Sequence, residues 1–134
     1  MISESTIEEF ALRQLEQLGY ESLHAPTIAP DGERSERESY EEVLLTGRLE
    51  EAIRRINPKI PESARQEALK EIQRIQSPDL LTNNETFHRY LTEGINISYH
   101  DNGNERGDLV WPIDFKNPEN NEFVVTNQFT VIEN

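Results

Sequence analysis

Apolar residues recur at helical spacing in four segments of the first 93 positions, then change to every second position. Ser5-Thr6-Ile7-Glu8 fits a capping box, and Ile7, Phe10, Ala11, Gln14, Leu15 and Leu18 follow at the spacing of one helical face. Gly19 stands where a left-handed stop belongs, so the pattern predicts a helix over 6–18. A short strand fits 20–25. The polar stretch 26–38, with Pro30-Asp31-Gly32 inside it, reads as a surface loop. Ser39-Tyr40-Glu41-Glu42 is a second capping box, and Leu45, Leu49, Ala52, Ile53 and Ile56 extend its helix over 40–56 to the Asn57-Pro58 break. Pro61 opens a third helix over 62–75 with Ala64, Ala68, Leu69, Ile72 and Ile75 on one face. A fourth spans 84–93, burying Phe87 and Leu91 and stopping at Gly94.

Beyond Gly94 the period falls to two. Ile95, Ile97 and Tyr99 alternate over 95–101, Asn102-Gly103 is a hairpin turn, and Leu109, Trp111, Ile113 and Phe115 alternate over 106–115. Pro112 has no amide proton and predicts an edge or a bulge there. A third strand is expected over 122–132, with Phe123, Val125, Phe129 and Val131 on one face and Val124 and Ile132 lending the other face apolar character. Helices first and an antiparallel meander after them make an α+β layout. A strand apolar on both faces belongs inside a sheet, so the sheet looks unfinished and its open edge predicts self-association.

Composition sharpens this picture. The 134 residues make one small domain or part of a larger one, and the apolar share of 34 % is below the roughly 45–50 % of an average domain. No apolar run is long enough to span a membrane. The first residues lack a basic-then-apolar signal pattern, and there is no cysteine, so a cytoplasmic setting is expected. A net charge of −13, from 13 basic against 26 acidic side chains, should repel duplex DNA at long range. That charge leaves room for a different class of function, a small acidic interaction protein that mimics DNA, or a docking module without catalysis.

The segment Asn117-Pro118-Glu119-Asn120-Asn121-Glu122-Phe123-Val124-Val125-Thr126-Asn127-Gln128-Phe129-Thr130-Val131 carries the strongest likeness. It resembles the stretch that leads into the nuclease centre of the restriction (R) subunit of type I restriction–modification enzymes. Other pieces match that family in order: Leu18-Gly19-Tyr20; the run from Arg37 to Leu49; Ile56-Asn57-Pro58; Asn83-Asn84 with Phe87-His88 and Thr92-Glu93-Gly94; Arg106-Gly107-Asp108; and Ile113-Asp114-Phe115. The likeness spans almost the whole chain. It implies the opening part of a restriction-endonuclease-like domain of the Pro-Asp…(Asp/Glu)-x-Lys kind, incomplete because the family's metal-binding motif would fall beyond Asn134. It also implies an intact protein that cuts DNA with Mg²⁺, pumps it with ATP and works with modification and specificity subunits. The chain has no phosphate-binding loop of the Walker type, so no cofactor is expected in this segment itself.

Among single residues, the resemblance implies a catalytic role only for Glu8, because related nucleases place an extra acid on the first helix, directed at the metal site. Its alternative role is to accept the Ser5 amide proton as part of the capping box. Asp114-Phe115-Lys116 spells an acid-x-Lys triplet but matches a non-catalytic piece of the family and reads as a solvated strand end. His24, His88 and His100 are too scattered for a zinc site, and there is no nucleophile elbow. Arg34, Arg37 and Arg48 sit among acids and fit local ion pairs, and Trp111, Phe115, Phe123 and Phe129 fit a core.

Overall fold

A computed structural model describes residues 1–75 and 77–133 and is a mixture of helix and strand. The chain forms two compact units, Met1–Thr46 with Glu122–Asn134, and Gly47–Asn121.

In the first unit, helix α1 (Glu4–Gln17) leads to strand β1 (Glu21–His24) and the single turn α2 (Ala25–Ile28). The unit is closed by strand β4 (Val124–Asn127), which pairs with β1 in parallel, Glu21 opposite Val124 and His24 opposite Asn127. The Tyr20 ring meets the Phe123 ring edge-on at 5.6 Å where the two strands begin. Ala25, Ile28 and Ala29 are buried, and so is Arg37. The Arg37 guanidinium donates to the carbonyls of Tyr40 and Glu42 and stacks 4.0 Å above the Phe129 ring. A buried cation is tolerated here because carbonyl dipoles and an aromatic face replace its water.

The second unit contains α3 (Thr46–Ile56), α4 (Glu62–Gln73), α5 (Leu80–Glu93) and the antiparallel pair β2 (Ile95–Asp101) and β3 (Asn104–Val110). Its core is Ile53 of α3, then Ala64, Ala68, Leu69 and Ile72 of α4, set with Ile95, Ile97 and Val110 of the hairpin. The α4 residues are four of the five that the helical spacing put on one face. The hairpin turn is as its residues dictate: Asn102 and Gly103 both have positive φ, 52° and 81°, the mirror-image turn whose twist suits two antiparallel strands.

Several expected elements differ, each for a local reason. Helix α1 begins at Glu4 because Ser3, not Ser5, caps it, its Oγ accepting the Thr6 amide at 3.2 Å. The face of α1 expected to be buried is also turned: Leu12 and Leu15 are half-buried, while Ile7 and Phe10 are exposed. The expected helix over 40–56 starts only at Thr46, because the carbonyls of Tyr40 and Glu42 accept from Arg37 and the Glu42 carboxylate accepts the Glu38 amide. Helix α5 starts four residues earlier than 84, where the Asp79 carboxylate takes the Leu81 amide and the Thr82 hydroxyl.

The three-stranded meander is not formed. Strand β3 stops at Val110, since Asn57 takes both backbone groups of Trp111 and Pro112 has no donor. The third strand then pairs with β1 instead of β3. The inward side of β3 is also the reverse of the expected one. A two-residue turn fixes Asp101 opposite Asn104, which sets Val110 opposite Ile95 and turns Leu109 outward. Finally, Gln128 at φ 54° ends β4 five residues before the expected 132.

Asn57 is buried, and its Nδ2 donates to Ile53 O and Trp111 O while its Oδ1 accepts the Trp111 amide, each at 2.8 Å. Asn57→Ala would strand these backbone groups and is expected to destabilise the fold by about 2–3 kcal/mol. Urea unfolding of the purified chain measures it, and a loss below about 0.5 kcal/mol would contradict this role.

Candidate functional site

Glu8 lies one helical turn before Leu12 on the side of α1 that faces the strand pair. It is half-buried. Because Ser3 caps the helix, the capping-box use of Glu8 is absent. Its carboxylate instead accepts two carboxamides from the end of β4: Asn127 Nδ2 donates to Oε2 at 3.0 Å, and Gln128 Nε2 donates to Oε1. The register puts His24 beside Asn127, so both side chains leave the same face of the strand pair. The carboxyl end of parallel strands is also where open α/β sheets take their ligands.

Gln128 holds an unusual backbone. A left-handed conformation costs a residue other than glycine roughly 1–2 kcal/mol, so it persists only where the surroundings require it. Extended chain would send residues 127 and 128 to opposite faces. The left-handed turn returns the second carboxamide to the carboxylate already held by the first. Neither residue stood out among the candidates read from sequence. The available signal was two adjacent amide side chains, preceded by Thr126, between the apolar residues Phe123-Val124-Val125 and Phe129.

A Mg²⁺ ion takes about six oxygen ligands. Glu8 offers a hard oxygen, and a ligating carboxylate is commonly hydrogen-bonded in turn, as here. Among the described residues no three histidine, cysteine, aspartate or glutamate side chains stand together as a metal site. The donor chemistry therefore fits one ligand of an ion and not a whole centre. Asp114 belongs to the other unit. Its oxygens accept the backbone amides of Lys116 and Asn117 and the side chain of Asn120, while Asn121 pairs with its backbone. Asp114 thus shapes the turn after Phe115, and the strand expected to end there already stops at Val110.

The whole chain, residues 1–134, matches the family model described as type I restriction enzyme R protein N terminus. It belongs to that family. Two curated relatives agree. One is the type I restriction enzyme HindI endonuclease subunit of Haemophilus influenzae, 31 % identical over 131 residues, covering 98 % of this chain and 12 % of the relative. The other, provisionally named as the type I restriction enzyme MjaIXP endonuclease subunit, is from Methanocaldococcus jannaschii. It is 35 % identical over 125 residues, covering 93 % of this chain and 12 % of the relative. This R-protein N terminus thus spans about 12 % of the length of the curated relatives it matches. No solved structure gives a significant match. Among the described residues no helix is long and apolar enough to cross a membrane.

The Asp114 carboxyl is held below the usual carboxylate range, first by the Asn117 amide, then by the Asn120 side chain and the Lys116 amide. A depressed folded value means that the ionised form favours the folded state. The stabilisation is full above the unfolded value, near about pH 4, and disappears as pH falls through the lower folded value. Asp114→Ala should therefore lower the urea midpoint at about pH 7, with the difference from wild type shrinking below about pH 4. A difference independent of pH would show that the ionised carboxylate is not what holds the turn.

Proposed function

We propose that this chain supplies the first part of the nuclease domain in the endonuclease and motor subunit of a type I restriction enzyme. Its role there is to scaffold a centre whose remaining groups lie outside residues 1–134, and to contribute one carboxylate, Glu8. In the intact protein the reaction is cleavage of duplex DNA with Mg²⁺, coupled to ATP-driven translocation. The partners are DNA and the modification and specificity subunits. Within this proposal the restriction-endonuclease-like class is the fold in which α1, β1 and β4 take their place.

The observation that carries this reading is the position of Glu8. It stands at the carboxyl end of a parallel strand pair, released from helix capping and oriented from both sides by neutral donors. A bound divalent cation would supply the Lewis acid that polarises a phosphate and makes water acidic enough to attack. This chain's part is to hold Glu8 still and aimed, which limits the reorganisation left for the reaction step. Charge fits a scaffold better than a DNA clamp. Arg13, Arg54, Lys70, Arg74 and Arg106 pair with Glu9, Glu51, Glu67, Glu71 and Asp101, so they are engaged within the chain.

The test uses plasmid DNA and two preparations. The 134-residue chain with Mg²⁺ or Mn²⁺ should leave the plasmid intact. In the assembled full-length complex, Glu8→Ala should lower cleavage by roughly a hundredfold while ATP hydrolysis and subunit assembly persist. Cutting by the short chain, or full cleavage by the Glu8→Ala complex, would overturn the proposal.

A further inference from the structure

We propose that Asn127 and Gln128 are positioning residues for Glu8, and that the left-handed backbone at Gln128 exists to bring the second carboxamide onto the same carboxylate. This rests on the reading of Glu8 given above and adds to it the device that fixes the carboxylate plane. Asn127 Nδ2 holds Oε2 and Gln128 Nε2 holds Oε1, one donor on each oxygen. Each oxygen keeps a further lone-pair direction open, since an ionised carboxylate has about four acceptor positions and the two amides use two. The open directions are those a cation or an ordered water would use.

Three features argue against a chance contact. Helix α1 and strand β4 lie more than 100 residues apart in sequence, and the contact is made by two consecutive residues of one strand end. Alternation along an extended strand would prevent both from reaching the same group, and φ 54° at Gln128 removes that obstacle. Neutral donors also set orientation without cancelling the charge, whereas a lysine or arginine in their place would oppose a cation.

The experiment uses the full-length subunit carrying Gln128→Gly, Asn127→Ala or Glu8→Ala. Mn²⁺ affinity is read by electron paramagnetic resonance without DNA or ATP, the Mg²⁺ dependence of cleavage is read in the assembled complex, and melting is recorded for each variant. Gln128→Gly should weaken Mn²⁺ binding about tenfold and raise the Mg²⁺ needed for half-maximal cleavage in the same sense. Its melting temperature should hold or rise, because glycine accepts positive φ freely, which separates positioning from folding. Asn127→Ala should shift Mn²⁺ affinity in the same direction.

Unchanged Mn²⁺ affinity and Mg²⁺ dependence in both amide variants, with Glu8→Ala impaired, would overturn the positioning claim and leave the role of Glu8 standing. A lowered melting temperature with unchanged Mn²⁺ affinity would make the pair a structural clasp and equally overturn it. Wild-type Mn²⁺ binding and cleavage in Glu8→Ala would remove both readings at once.

Discussion

A two-stranded sheet leaves an edge of each strand without a ladder partner, and every buried donor and acceptor there needs another source of hydrogen bonds. The second unit meets that constraint with asparagine. A carboxamide presents a donor and an acceptor side by side, much as a peptide group does. Asn57 pairs with both backbone groups of Trp111, Asn83 with both of Ser77, and Asn121 with both of Asp114. At Trp111, just past β3, the carboxamide stands in for one residue of a partner strand, while at Ser77 and Asp114 it pairs with the backbone of loops. The pairing at Trp111 ends β3 while satisfying its last groups, and the pairing at Asp114 turns the chain after Phe115. In this way local amide chemistry, more than sheet length, sets the course of residues 111–121.

The same reasoning shows which parts of the fold could be read in advance. The core face of α4 was legible because Ala64, Ala68, Leu69 and Ile72 recur at a spacing only a helix produces. The hairpin was legible because Asn102 and Gly103 are the residues that accept positive φ. Helix starts were less so, since a capping box at Ser5 competes with a serine two residues earlier and the sequence does not say which side chain reaches the orphan amides. The partner of β4 was not legible. Its apolar run fits any sheet, and its actual neighbour β1 lies about a hundred residues away, beyond the reach of pattern. The α+β layout survives, while the meander within it does not.

The candidate site divides in the same way. Glu8 was singled out through family likeness, and the geometry then removed its bland role by giving the cap to Ser3. Its partners were hidden because an extended strand would point Asn127 and Gln128 to opposite faces, so the sequence pattern does not bring them to one group. Only the left-handed backbone at Gln128 brings them together on one group, and no periodicity encodes a single residue's φ. Strain of this kind is located by structure and interpreted by what it aligns.

The acidic balance explains why amides do this work. With 26 acidic and 13 basic side chains, an arginine beside Glu8 would have many competing partners, and several cations are already engaged by acids a turn away on their own helices. Such exposed pairs contribute little stability, but they keep cations near their own elements. A half-buried carboxylate still needs donors to replace its water. Carboxamides provide them without adding a positive charge, and each Glu8 oxygen accepts from one of them. An arginine fork would bind the carboxylate more strongly and, by neutralising it, remove the attraction for a cation that the proposed role requires.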